Sequence, residues 1–379
     1  MSKTRDGRRI MWLAHEHGPR NFTGVDVTDP RKPKIVVQTD LAHMDMRSNS
    51  LDIVGDLLAV AYQSGTVGGK PAGLELFDVS VPENPKSVSF FDCSGPFSRG
   101  VHALWFADGE FIHCCAGAPD HKPSIATDHL IYRIIDVRDP SRPKEAGRWW
   151  FPGTRDGDAE PPPPRLPKFG PQPGGVRCHN TNVYPERPDR AYVGYFDGGA
   201  VILDISDKSQ PKPITYWNPA PPFLGLTHTV VPLLSRDLLV ITEEAVVDGA
   251  LDWPKLTWVV DARNETNLVP VSTCPLPPVE EFRGRGGRFG SHNLHENKPG
   301  ELSYRSDTYI FGTYFGGGVR VFDLSNPLRP EEAAHFIPEA PAGTPVGSAQ
   351  INDVYVDENA LVYAVDRYTG GLYIMEVSL

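Results

Sequence analysis

One short pattern occurs six times in this chain of 379 residues, and it limits the possible folds more than any other feature. In each copy an apolar, strand-like run ends at an aspartate, and a small polar residue and a proline-bounded turn follow. The six copies are TGVDVTDPRKP, LELFDVSVPENP, YRIIDVRDPSRP, AVILDISDKSQP, WVVDARNETNLVP and VRVFDLSNPLRP. Their aspartates are Asp26, Asp78, Asp136, Asp204, Asp261 and Asp323, which lie 52 to 68 residues apart. Recurrence at such a spacing is typical of a repeat architecture.

Each repeat contains three further apolar runs. Two of them are joined by turn residues, as in SLDIVGDLLAVAY and INDVYVDENALVYAV, and such pairs predict β-hairpins. Another run, such as KIVVQTD or KSVSFFD, comes after the aspartate turn. Four antiparallel strands per repeat indicate an all-β fold, a seven-bladed β-propeller of four-stranded blades. Six blades is the alternative, because only six first strands are complete.

Composition narrows the functional classes. The chain has 36 glycines and 38 prolines, which argues against long helices. It has no apolar run near the ~20 residues of a membrane-spanning helix. A net charge of −11 argues against nucleic acid as a partner. We therefore expect a single propeller domain over residues 1–379, with a proline-rich loop insertion at about 152–175. Its expected partner is a small-molecule substrate, and homo-oligomerisation is left open.

Five cysteines are present, at Cys93, Cys114, Cys115, Cys178 and Cys274. Their odd number and the absence of a CxxC pair predict free thiols in a reducing compartment. The first residues lack the apolar stretch of a secretory leader. We therefore expect a cytoplasmic location.

The recurring order of apolar strand, aspartate, small polar residue and Pro-x-x-Pro resembles the LVIVD-repeat family. The resemblance extends over nearly the whole chain. It implies a seven-bladed propeller and says little about activity, because one propeller fold carries many functions.

Histidine and asparagine recur at one repeat position, the start of the first strand. The residues at this position are Asn49, His102, His179, His228, His292 and Asn352. First strands line the central channel of a propeller, so these six side chains are predicted to converge at one mouth. The chain has only 12 histidines, so four of them at six equivalent sites is more than chance would give. The convergence predicts a divalent metal site, and a ring of imidazoles acting directly on substrate is the alternative.

Imidazole ligands favour a transition metal over calcium or magnesium. Iron is the favoured ion, with zinc or manganese as alternatives. The histidine ring is similar to that of carotenoid-cleaving oxygenases, which also look like seven-bladed propellers. That similarity implies a non-haem Fe(II) oxygenase acting on a small apolar or aromatic substrate. One alternative is a lyase, hydratase or hydrolase that uses the metal as a Lewis acid. A non-catalytic interaction scaffold is the other.

Further residues are predicted to complete the site. Glu243 is the expected base, and Tyr195 and Tyr314 are expected to supply a phenol proton or an aromatic wall. Substrate binding is assigned to five residues, namely Asn49, Asn352 and the loop arginines Arg283, Arg285 and Arg288. Carboxylates are expected to hold the second ring nitrogen of the ligating histidines. The candidates for that role are Glu243, Glu244, Asp197, Asp366 and Glu296. His295 is expected to face away from the metal.

Overall fold

The computed structural model describes residues 1–164 and 174–379. Their regular secondary structure is almost entirely β-strand in antiparallel sheets, which confirms the predicted all-β class. The helices among them are one 3₁₀ turn (Ala126–Asp128) and the four-residue α1 (Glu280–Arg283), and neither is long and apolar enough to cross a membrane. The centre of the predicted proline-rich insertion, residues 165–173, lies outside the described residues.

The described residues divide into two compact units. The first contains Met1–Pro163, Val176–Ala191 and Asp204–Lys212, and the second contains mainly Tyr192–Leu203 and Pro213–Leu379. One propeller domain over residues 1–379 stays a prediction.

The first unit contains three four-stranded antiparallel sheets and a hairpin, in which neighbouring strands follow one another along the chain. The sheets are β1–β4, β5–β8 and β9–β12, and β13 pairs with β14. The strands are β1 (Ser2–Lys3), β2 (Arg9–Ala14), β3 (Arg20–Asp26), β4 (Lys34–Asp40), β5 (Met46–Val54), β6 (Leu57–Ser64), β7 (Gly73–Asp78), β8 (Lys86–Asp92), β9 (Val101–Phe106), β10 (Phe111–Ala116), β11 (Ile131–Asp136), β12 (Lys144–Trp149), β13 (Val176–Tyr184) and β14 (Arg187–Phe196).

The second unit contains the end of β14 and twelve further strands of the described chain. One sheet has the order β16-β15-β14-β17-β18-β19-β20, and two three-stranded sheets follow, β21–β23 and β24–β26. The strands are β15 (Ala200–Asp204), β16 (Lys212–Trp217), β17 (Thr227–Leu233), β18 (Leu238–Glu243), β19 (Thr257–Asp261), β20 (Val269–Thr273), β21 (Tyr309–Thr313), β22 (Val319–Asp323), β23 (Glu331–Phe336), β24 (Ile351–Val356), β25 (Leu361–Asp366) and β26 (Leu372–Glu376).

The repeat aspartate ends a strand and caps the turn that follows. At all six positions a carboxylate oxygen accepts the backbone N–H of the residue two places later, at distances from 2.7 Å at Asp323 to 3.1 Å at Asp136. Aspartate favours this local bond over continuing the ladder. The bond explains why this residue type recurs at the turn.

Apolar residues on both faces of a strand join neighbouring sheets. In β6, Leu58 and Val60 pack in a core with the β2–β3 hairpin, whereas Ala59 and Ala61 pack in a second core with β9 and β10. Similar cores in the second unit join β17–β18 to β21–β22, and β21–β22 to β24–β25. Alternate side chains of one strand therefore serve two cores, as a sheet covered on both faces requires.

The prediction of free cysteines was wrong at one pair. Cys115 in β10 and Cys178 in β13 form a disulfide, whereas Cys93, Cys114 and Cys274 are buried thiols. Both bonded cysteines lie in the first unit, 63 residues apart in sequence. The cytoplasmic location rested partly on free thiols, and it stays a prediction.

Candidate metal centre

Four of the six predicted ring residues are the extra residues of β-bulges. Asn49 lies between Ser48 and Ser50, which pair with consecutive residues of β6, so Asn49 itself faces no partner in the ladder. His102, His228 and Asn352 are skipped in the same way in β9, β17 and β24. A bulge bends the strand and turns the extra side chain away from the regular alternation. Alternation alone could not have predicted where these side chains point.

In the first unit, His102 and His179 form a close pair. Their Nε2 atoms are 2.9 Å apart, and their rings meet edge to face with centroids 4.3 Å apart. His179 Nδ1 lies 2.8 Å from Asn180 Oδ1, and His102 Nδ1 lies 3.1 Å from Gln63 Oε1. In each ring, the Nδ1 is thus engaged by a neutral amide and the Nε2 faces the other histidine.

Asn49 holds His102 in place. Its Nδ2 donates to the His102 carbonyl oxygen at 2.7 Å and lies 3.2 Å from His102 Nδ1. Its Oδ1 is buried and accepts no hydrogen bond from the described residues. The structure therefore places Asn49 beside the histidine pair, as a neighbour of the predicted ligands.

In the second unit, His228 and His292 form an equivalent pair. Their ring centroids are 4.5 Å apart, and His292 stacks on Phe315 at 4.4 Å. His228 Nδ1 lies 2.6 Å from Thr229 Oγ1, and His292 Nδ1 donates to the Asn352 carbonyl oxygen at 2.8 Å. His292 lies outside the regular strands, so the first strand predicted here is replaced by irregular chain.

Glu244 is the carboxylate of this second pair. Its Oε1 lies 3.7 Å from His292 Nε2 and accepts a 3.0 Å hydrogen bond from Arg288. A carbonyl oxygen can only accept, so the Asn352 contact fixes the proton of His292 on Nδ1 and leaves a lone pair on Nε2. A lone pair and a carboxylate oxygen then face each other, which is the arrangement that a cation or a proton between them would stabilise.

Electrostatics keep His292 neutral. Burial, together with the nearby His228 and the positive charge of Arg367, holds the pKa of His292 well below its ordinary value, against the opposing effect of Glu244. A neutral imidazole is the form that binds a metal. His179 in the first unit, and His228 and Glu244 in the second, offer buried ligand atoms suited to an ion, and those of His228 and Glu244 lie within 4.8 Å of each other.

The expectation that carboxylates hold the second ring nitrogens was wrong. Neutral amides, a hydroxyl or a backbone carbonyl engage Nδ1 of all four histidines. Asp197 instead accepts the backbone N–H of Gly175, and Asp366 closes the turn after β25. The sequence could not separate these roles, because carboxylates that cap turns and carboxylates that orient histidines both follow strand ends.

Glu243, the predicted base, belongs to a buried structural cluster. Its carboxylate accepts the Leu256 N–H at 3.0 Å and the Trp258 indole N–H at 3.4 Å. Burial raises the pKa of Glu243 to about 7, although the buried Lys255 opposes that rise. The contacts of Glu243 therefore anchor β18 to the chain leading into β19, and its neighbour Glu244 is the residue that approaches a predicted ligand.

The two predicted catalytic tyrosines are fully buried. Tyr314 lies in the core between β17–β18 and β21–β22, where its hydroxyl is 2.9 Å from Thr257 Oγ1. Burial raises the pKa of Tyr314 above its ordinary value. These contacts give Tyr314 a packing role, and they do not support a catalytic one. Tyr195 is likewise buried, at the end of β14.

The three loop arginines have separate surroundings. Arg283 is an exposed residue at the end of α1, and Arg285 is exposed with its guanidinium 4.5 Å above the Phe282 ring. Arg288 contacts Glu244 and lies over Phe315, 5.4 Å from the ring centroid. Of the three, Arg288 is the one whose contacts, Glu244 and Phe315, both lie beside a predicted metal ligand, His292.

His295 is a structural residue. Its Nε2 donates to the Tyr304 carbonyl oxygen at 2.7 Å, and its Nδ1 accepts the Val356 N–H at 3.2 Å. Both ring nitrogens are occupied by backbone groups in a buried setting, and the orientation of His295 relative to a metal stays a prediction.

The repeated pattern has a counterpart in a known family. Residues 189–215, which include Asp204 and its turn, match the LVIVD repeat. This segment is an LVIVD repeat. The predicted resemblance is confirmed on these residues, and no curated protein matches the chain.

Solved structures similar to this chain are propellers or propeller-like. The periplasmic gluconolactonase of Pseudomonas aeruginosa is 10% identical with a TM-score of 0.57, over 97% of this chain and 95% of its own. A hypothetical selenium-binding protein of Sulfolobus tokodaii is 11% identical with a TM-score of 0.59, over 97% and 90%. A β-propeller domain from Myceliophteria thermophila is 12% identical with a TM-score of 0.55, over 99% and 98%. At such identities the likeness shows the fold alone.

Proposed function

We propose that this protein is a metal-dependent enzyme whose ligands are His102, His179, His228 and His292. One observation carries the proposal: each of the four histidines has its Nδ1 held by a neighbouring polar group, so that Nε2 is the nitrogen that each ring would offer to a metal. Metal-ligating histidines are ordinarily held in this way through their other nitrogen. We infer that the two pairs share one ion because all four histidines occupy the same repeat position in the sequence.

The spacing of the first pair supports the proposal. Metal to imidazole-nitrogen bonds are about 2.1 Å long, so two ligands at a right angle have nitrogens about 3.0 Å apart. His102 Nε2 and His179 Nε2 are 2.9 Å apart. A hydrogen bond fits this distance in the metal-free protein, and two adjacent ligands of one ion fit it equally well.

Lewis-acid chemistry is the reaction class that these surroundings favour. Neutral groups hold the four imidazoles, so no carboxylate at Nδ1 donates negative charge through the rings. An ion bound by such ligands keeps its full charge and is suited to polarising a carbonyl or activating water. We therefore place a lyase, hydratase or hydrolase ahead of the Fe(II) oxygenase that the histidine ring predicts. The gluconolactonase fold is consistent with this choice.

Glu244 is the residue that we assign as the general base, in place of Glu243. It is buried, it lies 3.7 Å from His292 Nε2, and the Arg288 bond keeps its Oε1 at this position. Glu244 would take the proton from water or substrate at that oxygen. Arg288 would hold the carboxylate in place while the proton moves.

We also retain seven blades in one propeller domain as a proposal. Five groups of four consecutive strands, β1–β4 through β17–β20, and two groups of three, β21–β23 and β24–β26, support the count among the described strands.

Elemental analysis of protein purified without a histidine tag tests the metal. We expect one transition-metal ion per chain, and we expect His179→Ala and His228→Ala each to remove it. His335→Ala, which changes an exposed histidine beside Glu332, is the matched control and should keep the metal. The absence of bound metal, and of binding when Fe(II), Zn(II) or Mn(II) is added, would overturn the proposal. If only one of these two variants loses the bound metal, the proposal that the two histidine pairs share one ion is overturned.

Anaerobic assays separate the reaction classes. Metal-loaded protein is offered lactones, activated esters and aryl alkenes with and without oxygen. Turnover of lactones or esters that persists without oxygen is expected. Turnover only of alkenes, and only with oxygen, would replace the Lewis-acid proposal with the oxygenase.

A further inference from the structure

The strand β26 lacks a partner that six equivalent strands have. At each repeat aspartate, the strand that ends there pairs with the next strand along the chain, which is an outer strand: β3 with β4, β7 with β8, β11 with β12, β15 with β16, β19 with β20 and β22 with β23. Glu376 takes the aspartate position in β26, because it pairs with the first residue of β25 as Asp78 pairs with the first residue of β6. Among the described residues, no strand pairs with the outer edge of β26.

The exposure of β26 reflects this open edge. Each of the six paired strands has at least four buried residues, whereas β26 has none. Leu372, Tyr373, Ile374 and Met375 are half-buried, and Glu376 is exposed. The strand also contains neither proline nor lysine, the residues that commonly protect a sheet edge. The edge of β26 is therefore open to another strand.

The ladder determines which backbone groups point outward. The Asp366 N–H donates to the Gly371 carbonyl oxygen at 2.9 Å, which continues the pairing of β25 with β26. Hydrogen-bonded pairs alternate with non-hydrogen-bonded pairs in an antiparallel ladder, so every second residue from Gly371 onward bonds to β25. The N–H and C=O groups of Leu372 and Ile374, which lie between those residues, point to the open edge. Such a row is a template for an added strand.

The paired strands show the chemistry of a suitable partner. Four of the six outer strands begin with a lysine, and the other two begin with Val269 and Glu331. In three ladders of the first unit that lysine lies directly opposite the repeat aspartate, namely Lys34 opposite Asp26, Lys86 opposite Asp78 and Lys144 opposite Asp136. Opposite charges that face each other across a ladder stabilise the pairing.

We infer that the open edge of β26 binds an extended segment of a partner protein, antiparallel to β26 and with a lysine or arginine opposite Glu376. The backbone of the segment pairs with Leu372 and Ile374. Its apolar side chains on the face shared by Tyr373 and Met375 extend the core to which those two residues contribute. A second copy of this chain fits less well, because pairing β26 with itself about Ile374 places Leu372 opposite Glu376. The inference does not depend on the proposed metal chemistry.

Fluorescence anisotropy with labelled peptides tests the inference on the full chain. The probe is KSVSFFD, the sequence of β8 (Lys86–Asp92), and the second peptide, ESVSFFD, has glutamate in place of the lysine. We expect saturable binding of the probe and about fivefold weaker binding of ESVSFFD, because its glutamate faces Glu376. Glu376→Lys should reverse this order. Glu331→Lys, the same charge change at the exposed start of β23, is the matched control and should keep it.

Ile374→Pro tests the backbone pairing. It removes an N–H that points outward, and proline is tolerated on the open side of an edge strand. We expect about tenfold weaker binding of the probe, because a hydrogen bond is lost and the ring obstructs the added strand. Ile374→Val keeps the N–H and should bind the probe like the parent. Thermal unfolding is measured on both variants, and if Ile374→Pro does not fold, the charge reversal at Glu376 decides the outcome.

Three results would overturn the inference. They are no binding of either peptide, the same order of peptide affinities in the parent and Glu376→Lys, and equal affinities in folded Ile374→Pro and Ile374→Val. Light scattering on the protein without peptide tests the second copy as occupant. A dimer that forms with rising concentration and is lost in Ile374→Pro would assign the edge to self-pairing and would also overturn the inference.

Discussion

At the scale of single residues, each predicted ligand depends on one neutral neighbour. Thr229 is the simplest case, because its hydroxyl lies 2.6 Å from His228 Nδ1 and the two residues are adjacent in the chain. Gln63, Asn180 and the Asn352 carbonyl oxygen have the same function at the other three histidines. Removing such a contact frees the ring to rotate and weakens it as a ligand.

Thr229→Val is expected to lower metal affinity about tenfold, because valine has nearly the same shape and lacks the hydroxyl. Competition with a chromophoric chelator measures the change. Thr273→Val, which alters a threonine at the end of β20, is the control and should bind metal like the parent. Unchanged affinity in Thr229→Val would show that this hydroxyl does not orient His228.

At the scale of elements, bulges and a cross-link position the histidine strands. The bulge in β9 makes His102 the extra residue, and the disulfide ties β10, the partner of β9, to β13, which contains His179. Cys178 directly precedes His179, and Cys115 pairs with Ala103, the residue after His102. The cross-link therefore ties the strand that carries His179 to β10, the ladder partner of the strand that carries His102.

Cys115→Ser is expected to lower the free energy of unfolding by several kcal/mol. In the chain-entropy description, a cross-link closing 63 residues contributes about 4 kcal/mol. Thermal unfolding with and without a dithiol reductant measures it. The parent should lose stability in reductant and Cys115→Ser should not, whereas Cys274→Ser, which removes a buried thiol, should still respond to the reductant. If the reductant does not change the thermal unfolding of the parent, the Cys115–Cys178 disulfide is contradicted.

At the scale of the whole molecule, stability depends on histidines that are buried away from the candidate site. Burial lowers the pKa of His113, His121, His129 and His295 to about 4. An unfolded histidine titrates near pH 6.5. Between about pH 6.5 and 4 the unfolded chain therefore binds protons that the folded chain excludes, so stability falls as the pH is lowered through this range.

His121→Leu is expected to reduce this pH dependence. His121 is 2% exposed and neither ring nitrogen has a hydrogen-bond partner among the described residues. Replacing it with an apolar side chain therefore breaks no hydrogen bond of the ring with these residues. The change in unfolding temperature between pH 7 and pH 5 should be smaller than in the parent. His43→Leu, at an exposed position, should keep the parent's dependence. If the unfolding temperature changes equally between pH 7 and pH 5 in the parent and both variants, His121 does not contribute to the pH dependence of stability.

Much of the fold could be predicted because the repeat is local. The aspartate, its proline-bounded turn and the hairpins are each determined within about ten residues, and the structure contains them except at His292, where irregular chain replaces the predicted first strand. The candidate site could be predicted only in part. Repeat position predicts His102, His179, His228 and His292 as ligands, which stays a prediction, whereas the contacts of Glu244 and Arg367 join distant segments, which no local pattern records. The disulfide likewise joins strands that the sequence separates by 63 residues.

The bulged positions also have a consequence for how such a chain can change over evolutionary time. Because Asn49, His102, His228 and Asn352 face no partner in the ladder, a substitution there leaves the register of the sheet intact. A mutation at Asn49 or Asn352 therefore changes the side chain at the predicted ring position, and its contact with His102 or Arg367, without shifting the pairing of the strands. Under the proposed function, changes at these positions would alter the metal site over evolutionary time while the strand pairing stays constant.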